Sequence, residues 1–330
     1  MTQPDRQQPA ELEAIALEER LRQDVETLAT EIGPRSIFVP EALNRSRDFL
    51  REKFTEFGYE VGLETFFVEA GPIQGADKTV DERIEVSNVI AERKGSLRPD
   101  EIVILGAHYD TPGDNIPGAN DNGTGVAAML EVARVLKAND RTVRFIGFVN
   151  EEPPFTWQET MGSIVSAQNS LEKDENIVGM IALDELGCFE DTGENPVPNS
   201  DIPPINPEAI VMLSYGEGKQ LLEKVSNTFR ESSSVPVEEV YGQSQEDRGG
   251  FIWPKVAPHG WSDHFGYLGF DYPAMMITDT GPFRYGAHYH TESDTPDKVD
   301  FKTLARVTQG VVAVVKELVS VGNSDELPNG

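Results

Sequence analysis

Glu101-Ile102-Val103-Ile104-Leu105-Gly106-Ala107-His108 is a short apolar run that ends on a histidine. Thr142-Val143-Arg144-Phe145-Ile146-Gly147-Phe148-Val149 repeats the pattern and leads, past Asn150, to Glu151 and Glu152. Val178-Gly179-Met180-Ile181-Ala182-Leu183 repeats it again and delivers Asp184. Continuous apolar runs of this length predict strands buried on both faces of a parallel sheet. In open α/β sheets, sites form just outside the carboxyl ends of the strands. Each of these runs places an ionisable residue at that edge, so the same residues that predict the fold also predict a site.

The segments between the runs fit the same architecture. Pro112 to Gly125 is rich in Gly, Asn, Asp and Pro and reads as a loop. A helix with Asp121 at its start follows, carrying Val126, Met129, Leu130, Ala133 and Leu136 on one face. Thr160 to Leu171 reads as the next helix. Upstream, helices are expected over Ala10 to Ile32 and over Pro40 to Phe57, the second stopped by Gly58. Strands are expected over Tyr59 to Val68 and Arg83 to Arg93, with a loop or hairpin connection over Gly71 to Val80. Downstream, Asp191 to Pro207 reads as a surface excursion. Strands follow over Ile210 to Leu213, Val237 to Tyr241 and Tyr272 to Thr278. Helices are expected over Gly218 to Glu231, Ser262 to Leu268 and Val299 to Val321. The alternation predicts one α/β domain over residues 11–330, with a disordered tail over residues 1–10. Its core would be a mostly parallel, twisted central sheet with helices on both faces and right-handed crossovers.

Bulk properties narrow the function. The 330 residues are 38% hydrophobic, enough for a core. No run approaches the ~20 apolar residues that a membrane helix needs. The first ten residues are polar and lack the apolar segment of a signal peptide. Cys188 is the only cysteine, which excludes an internal disulfide and fits a reducing compartment. Its apolar neighbours make it a small core residue, and the expected location is cytoplasmic. A formal net charge of −29 argues against nucleic acid and anionic membranes as partners. It fits a well-solvated surface, or adaptation to a salt-rich setting in which self-repulsion is screened.

His108, Asp121, Glu152, Asp184 and His290, with Glu151 beside them, form the inventory of an N/O-ligated dinuclear zinc site. Singly, each has an ordinary explanation. A histidine at a strand end is often structural, paired glutamates are usually solvated, and Asp121 could cap a helix. Two features outweigh those readings. All five histidines (108, 259, 264, 288 and 290) fall in or beside these segments. Adjacent glutamates after an apolar strand would also repel each other and be poorly hydrated without a cation. Asp263 and His264 read as structural, and Met275 and Met276 as core.

At these residues the chain resembles the dinuclear zinc aminopeptidases, metallopeptidase family twenty-eight. That family's relatives include leucyl aminopeptidases, glutamate carboxypeptidases and glutaminyl cyclases. The likeness rests on Gly106–Asp110, Gly118–Gly125, Asn150–Glu152, Asp184, Ser262–His264 and Tyr289–Thr295. It implies a zinc exopeptidase-like fold with two zinc ions. His108 and Asp184 would hold one ion, Glu152 and His290 the other, and Asp121 would bridge them. It further implies Glu151 as general base and Asp110 as the carboxylate that fixes the tautomer of His108. A cis peptide between Asp121 and Asn122 is implied as well. The family's oxyanion-stabilising tyrosine is replaced here by His259, and Tyr289 is a second candidate donor. The implied activity is hydrolysis of N-terminal residues from peptides; a free amine would need an acidic partner, and Glu185 beside Asp184 is a candidate. A carboxypeptidase, or a glutaminyl cyclase-type acyltransferase on the same fold, is the alternative. A purely binding protein would have lost a ligand or the base, and all six are present.

Overall fold

The structure is a computed structural model, and it describes residues 7–73, 79–189, 206–242, 262–279 and 287–321. Ten strands are found among the described residues. They are β1 (Glu60–Val68), β2 (Gly71–Pro72), β3 (Thr79–Val80), β4 (Ile84–Arg93), β5 (Arg98–His108), β6 (Arg141–Phe148), β7 (Asn176–Leu183), β8 (Ile210–Tyr215), β9 (Val237–Gly242) and β10 (Ala274–Thr278). The helices are α1 (Gln7–Glu26), α2 (Pro40–Glu56), α3 (Gly125–Val135), α4 (Gly162–Glu172), α5 (Lys219–Ser232), α6 (His264–Leu268) and α7 (Phe301–Val319). Helix α1 widens into a π turn over Thr27–Ile32, and Gly33 ends it with φ 85°. Its start at Gln7 falls inside the segment expected to be a tail. Most of the expected excursion after Asp191 lies outside the described residues.

Eight strands form one sheet in the order β1-β4-β6-β5-β7-β10-β8-β9. The middle is parallel: β6, β5, β7 and β10 run the same way. Strands β1 and β4 join antiparallel on one side, and β8 enters antiparallel to β10 on the other. The sheet is therefore mixed, with its parallel part where the apolar runs lie. Strands β2 and β3 form a separate small hairpin, as the Gly71 to Val80 connection allowed.

Alternation along β5 explains why that run is apolar throughout. Val103, Leu105 and Ala107 point into a core shared with α1, α2, α3, α5 and α7. Ile102 and Ile104 point to the opposite face, where Ala167 of α4 and Tyr267 and Leu268 of α6 cover them. Side chains alternate between faces in a strand, so a strand covered on both sides needs apolar residues at every position. Burying each such side chain contributes ~1.5–3 kcal/mol. The crossover from β5 to β6 carries α3 on one face. The crossover from β6 to β7 runs the other way along the sheet and carries α4 on the opposite face, which gives both the same hand.

Helix α7 closes the larger core through an apolar face that includes Leu304, Val307, Val311, Val314 and Val315. Asp300 caps it, its Oδ1 accepting from the Thr303 amide at 3.0 Å. Gly310 sits mid-helix because α7 crosses α5 there, and a Cβ would overlap the ring of Phe229. Gly310→Ala is therefore expected to destabilise the fold by about 1–3 kcal/mol in spite of alanine's better helix propensity. Urea denaturation would measure this, and an unchanged midpoint would contradict the packing.

Candidate metal centre and active site

Three of the candidate ligand segments arise from neighbouring parallel strands. His108 is the last residue of β5, Asp184 follows β7 directly, and Glu151 and Glu152 follow β6 after two further residues. Because β6, β5 and β7 are adjacent in the sheet, their carboxyl ends converge. Asp121 comes from the kinked turn Ala119–Thr124, where its dihedrals (φ −104°, ψ 92°) are not helical. The Asp121–Asn122 peptide is cis. Helix α3 begins only at Gly125, whose amide donates to Asn122 Oδ1 at 3.1 Å. Asp121 thus precedes the helix instead of starting it. His290 comes from the irregular segment before α7 and has φ 54°.

The carboxylate of Asp121 lies between the two histidines. Its Oδ1 is 3.4 Å from His108 Nε2 and its Oδ2 is 3.1 Å from His290 Nε2. His108 Nε2 also lies 3.3 Å from Asp184 Oδ1 and 3.9 Å from Glu151 Oε2. His290 Nε2 lies 3.3 Å from Glu152 Oε2. Two compact donor groups result: His108, Asp121 and Asp184, and Asp121, Glu152 and His290, with donor atoms within 4.8 Å of one another in each. His108, Glu151 and Glu152 form a third such group.

Residues around these groups set their positions. The carboxylate of Asp110 accepts the amides of Glu151 at 3.2 Å and Glu152 at 3.3 Å. His108 Nδ1 is 3.2 Å from the Asp110 carbonyl oxygen and 3.7 Å from its carboxylate. The carbonyl is therefore the nearer partner for the Nδ1 proton, and the carboxylate anchors the glutamate turn. Asp294 is fully buried and accepts the amides of Asn120 at 2.8 Å and Asp121 at 3.1 Å. It ties the turn bearing Asp121 to the segment bearing His290.

Arg35 is also fully buried. Its guanidinium donates to the carbonyls of Tyr109 at 2.9 Å, Gly118 at 2.9 Å and Pro117, which clamps the loops on either side of the site. Burial lowers its pKa to about 10, against the pull of Asp294 and Asp110. Sequence reasoning assigned no role to Arg35 or Asp294. Asp294 does stand inside the Tyr289–Thr295 motif, whereas Arg35 gave only the weak signal of an arginine beside a Gly-Pro turn.

His259 lies outside the described residues. Tyr289 lines the cavity with Asp121, Glu151, Glu152, Asp184, Glu185 and His290. Its ring stacks on His290 with centroids 3.8 Å apart. Asp263 and His264 are fully buried at the start of α6. His288 Nδ1 is 2.8 Å from Ser293 Oγ. Cys188 is buried, as its neighbours implied. No helix among the described residues is long and apolar enough to cross a membrane.

The donor set fits metal cations. Burial and the nearby Asp121 push Glu152 up to about 7. Burial also raises Glu151 well above the carboxylate range, with Glu152 and Asp184 adding to the effect. Burial alone would lower His290, but Glu152 and Asp121 drive it up to about 11. Glu152 Oε1 is buried with no hydrogen-bond partner. Oxygen and imidazole donors packed at this density are stable as ligands of a borderline cation such as zinc.

A pH dependence follows for chelated protein. Glu152 has a folded pKa raised from 4.5 to about 7, so the folded state holds a proton that the unfolded state releases. Stability then falls as pH rises across that interval. His290 has the same sign: its contribution is complete below 6.5 and is lost as pH rises through about 11. Metal-free protein is therefore expected to melt at lower temperature at pH 8 than at pH 5, while metal-loaded protein shows a flatter profile. Calorimetry at both pH values, with and without zinc, measures this. A metal-free profile that rises with pH would contradict it.

Together the fold and the site define a class: an α/β scaffold with a buried carboxylate–histidine cluster able to hold metal ions at the carboxyl edge of its sheet. Residues 88–315 match the model of Peptidase family M28, and the chain belongs to that family. It is a metallo-exopeptidase-type hydrolase. Among curated relatives, the chain is 30% identical over 310 residues to the uncharacterized protein YfbL of Escherichia coli (strain K12). That alignment covers 90% of this chain and 87% of YfbL. It is 27% identical over 237 residues to aminopeptidase YwaD of Bacillus subtilis (strain 168), covering 70% of this chain and 44% of YwaD. Among solved structures, BSAP, a zinc aminopeptidase from Bacillus subtilis, shares the fold with a TM-score of 0.69 at 16% identity. That match covers 94% of this chain and 96% of BSAP.

Proposed function

We propose that the chain is a zinc-dependent aminopeptidase that removes N-terminal residues from peptides, with two zinc ions per chain and Glu151 as general base. The observation that carries this reading is the placement of Asp121, whose two oxygens face His108 and His290 separately. His108 and Asp184 would hold one ion and Glu152 and His290 the other, with Asp121 shared. When bound, two zinc ions supply Lewis-acid polarisation of a carbonyl oxygen and lower the pKa of water.

The chain's own residues do the rest. Glu151 stands beside His108 without belonging to either group that contains Asp121. It would take a proton from the attacking water and return it to the leaving amine. Asp110 holds the Glu151–Glu152 turn in register with His108 through the two amides it accepts. Tyr289 presents its hydroxyl-bearing ring at the cavity wall and is a candidate oxyanion donor. The same role is proposed for His259.

Both donor groups are complete, which favours hydrolysis over a cyclase that needs a single ion. A carboxypeptidase would need a cationic anchor for a substrate carboxylate. The cavity lining among the described residues has no arginine or lysine and several acids, which favours a substrate with a free amine. The single buried cysteine supports a reducing, cytoplasmic setting. Cleavage of free and N-acetylated peptide libraries by zinc-loaded protein tests the polarity. Cleavage confined to free amines is expected, and equal cleavage of both libraries would overturn the aminopeptidase reading.

A further inference from the structure

One carboxylate in the cavity belongs to none of the donor groups that could hold an ion. Glu185 follows Asp184, is 5% exposed, and lines the cavity beside Asp121, Glu151 and His290. Its backbone is in the left-handed region with φ 58°. Two hydrogen bonds hold it there: its amide donates to Asn122 Oδ1 at 3.2 Å, and its carbonyl accepts from the Asp279 amide at 2.6 Å. A non-glycine residue fixed in this conformation commits its side chain to one direction, here the cavity.

No cationic side chain pairs with it among the described residues. Glu185 Oε2 is buried without a hydrogen-bond partner. Leaving a buried carboxylate uncompensated costs several kcal/mol. The compact donor groups close without Glu185, so the ions they could hold do not require it as a ligand. Met276 and Thr278, two residues apart on β10 and so on one face of that strand, line the same cavity. A methionine and a threonine methyl beside a carboxylate suit an aliphatic stem that ends in a cation. The net charge of −29 also enriches cationic solutes around the molecule.

We propose that Glu185 is a specificity-determining residue that receives an ammonium or guanidinium group carried by the residue on the N-terminal side of the scissile bond. The proposal rests on the exopeptidase reading above. That cation has two possible sources, the substrate's α-amine and a lysine or arginine side chain, and the substrates below separate them.

The test compares zinc-loaded wild type, Glu185→Gln and Glu185→Asp, with zinc content measured for each. The substrates are the p-nitroanilides of leucine, lysine, N-acetyl-leucine and N-acetyl-lysine. Glu185→Gln is expected to lower kcat/KM about 10- to 100-fold on substrates bearing the recognised cation, mostly through KM. The preference for those substrates over the others should collapse. A loss shared by leucine and lysine assigns the α-amine, and a loss confined to the lysine forms assigns the side chain. Glu185→Asp keeps the charge and should retain the preference. An unchanged preference in Glu185→Gln, or one lost equally in both variants, overturns the proposal. Calorimetric binding of leucinamide, lysinamide and their N-acetyl forms gives a readout without turnover. If wild type cleaves none of the anilides yet binds the amides in a Glu185-dependent way, the exopeptidase reading fails and the cation site stands. Equal binding by wild type and Glu185→Gln overturns the site regardless of turnover.

Discussion

Glu151→Gln is expected to keep the fold and both zinc ions while turnover falls about 10²- to 10⁴-fold, or ~3–5 kcal/mol of transition-state stabilisation. The amide preserves the shape of the side chain but cannot accept a proton. Glu152→Gln should behave differently, although it is the next residue. Glu152 Oε2 lies 3.3 Å from His290 Nε2 and shares a donor group with Asp121, so on the proposed reading this change removes a charged ligand. One ion should be lost along with activity. Metal content by elemental analysis, beside initial rates, separates the two roles. Activity retained in Glu151→Gln, or zinc lost from it as from Glu152→Gln, would show that the roles are wrongly divided.

Chelation should abolish activity and lower the melting temperature together. The proposed ligands come from the ends of β5, β6 and β7, from the turn before α3 and from the segment before α7. Metals shared among them tie together parts of the chain far apart in sequence, so binding free energy becomes folding free energy. Free zinc at about a thousand times its dissociation constant stabilises by ~4 kcal/mol. For a domain of this size that corresponds to a drop of roughly 6 °C on removal. Removal also leaves Glu151, Glu152 and Glu185 crowded and buried, each with a raised pKa. Zinc should restore both properties. An unchanged melting temperature after complete chelation would contradict the structural role of the site.

Much of this arrangement could be read from the sequence, for identifiable reasons. Strands β5, β6 and β7 announce themselves because burial on both faces demands apolar residues at every position. Helix α7 does so because one face alone is buried, which leaves a period near that of the helix. Strand order was not legible. Nothing local to Ile84–Arg93 says that β4 pairs antiparallel with β6, or that β10 lies between β7 and β8, since pairing is decided by contacts remote in sequence.

The site divides along the same line. His108, Glu151, Glu152 and Asp184 could be picked out because each stands at or just after a strand end, Asp121 because it lies in a Gly-rich turn, and His290 through the Tyr289–Thr295 motif. The structure brings all of them within a few ångströms of one another. Asp294 and Arg35 act on backbone groups of the Asp121 turn and its neighbouring loops. A side chain that recognises backbone leaves no pairing pattern in the sequence. The nearer partner of His108 Nδ1 is likewise a carbonyl oxygen, and no residue type encodes that choice.

The central claim is that Asp121 bridges two metal ions. Crystals of zinc-loaded protein, measured at the zinc absorption edge, test it most directly. The account predicts two anomalous peaks per chain on either side of the Asp121 carboxylate, one beside His108 and Asp184 and the other beside Glu152 and His290. A single peak at full occupancy, or two peaks that leave Asp121 unligated, would contradict it.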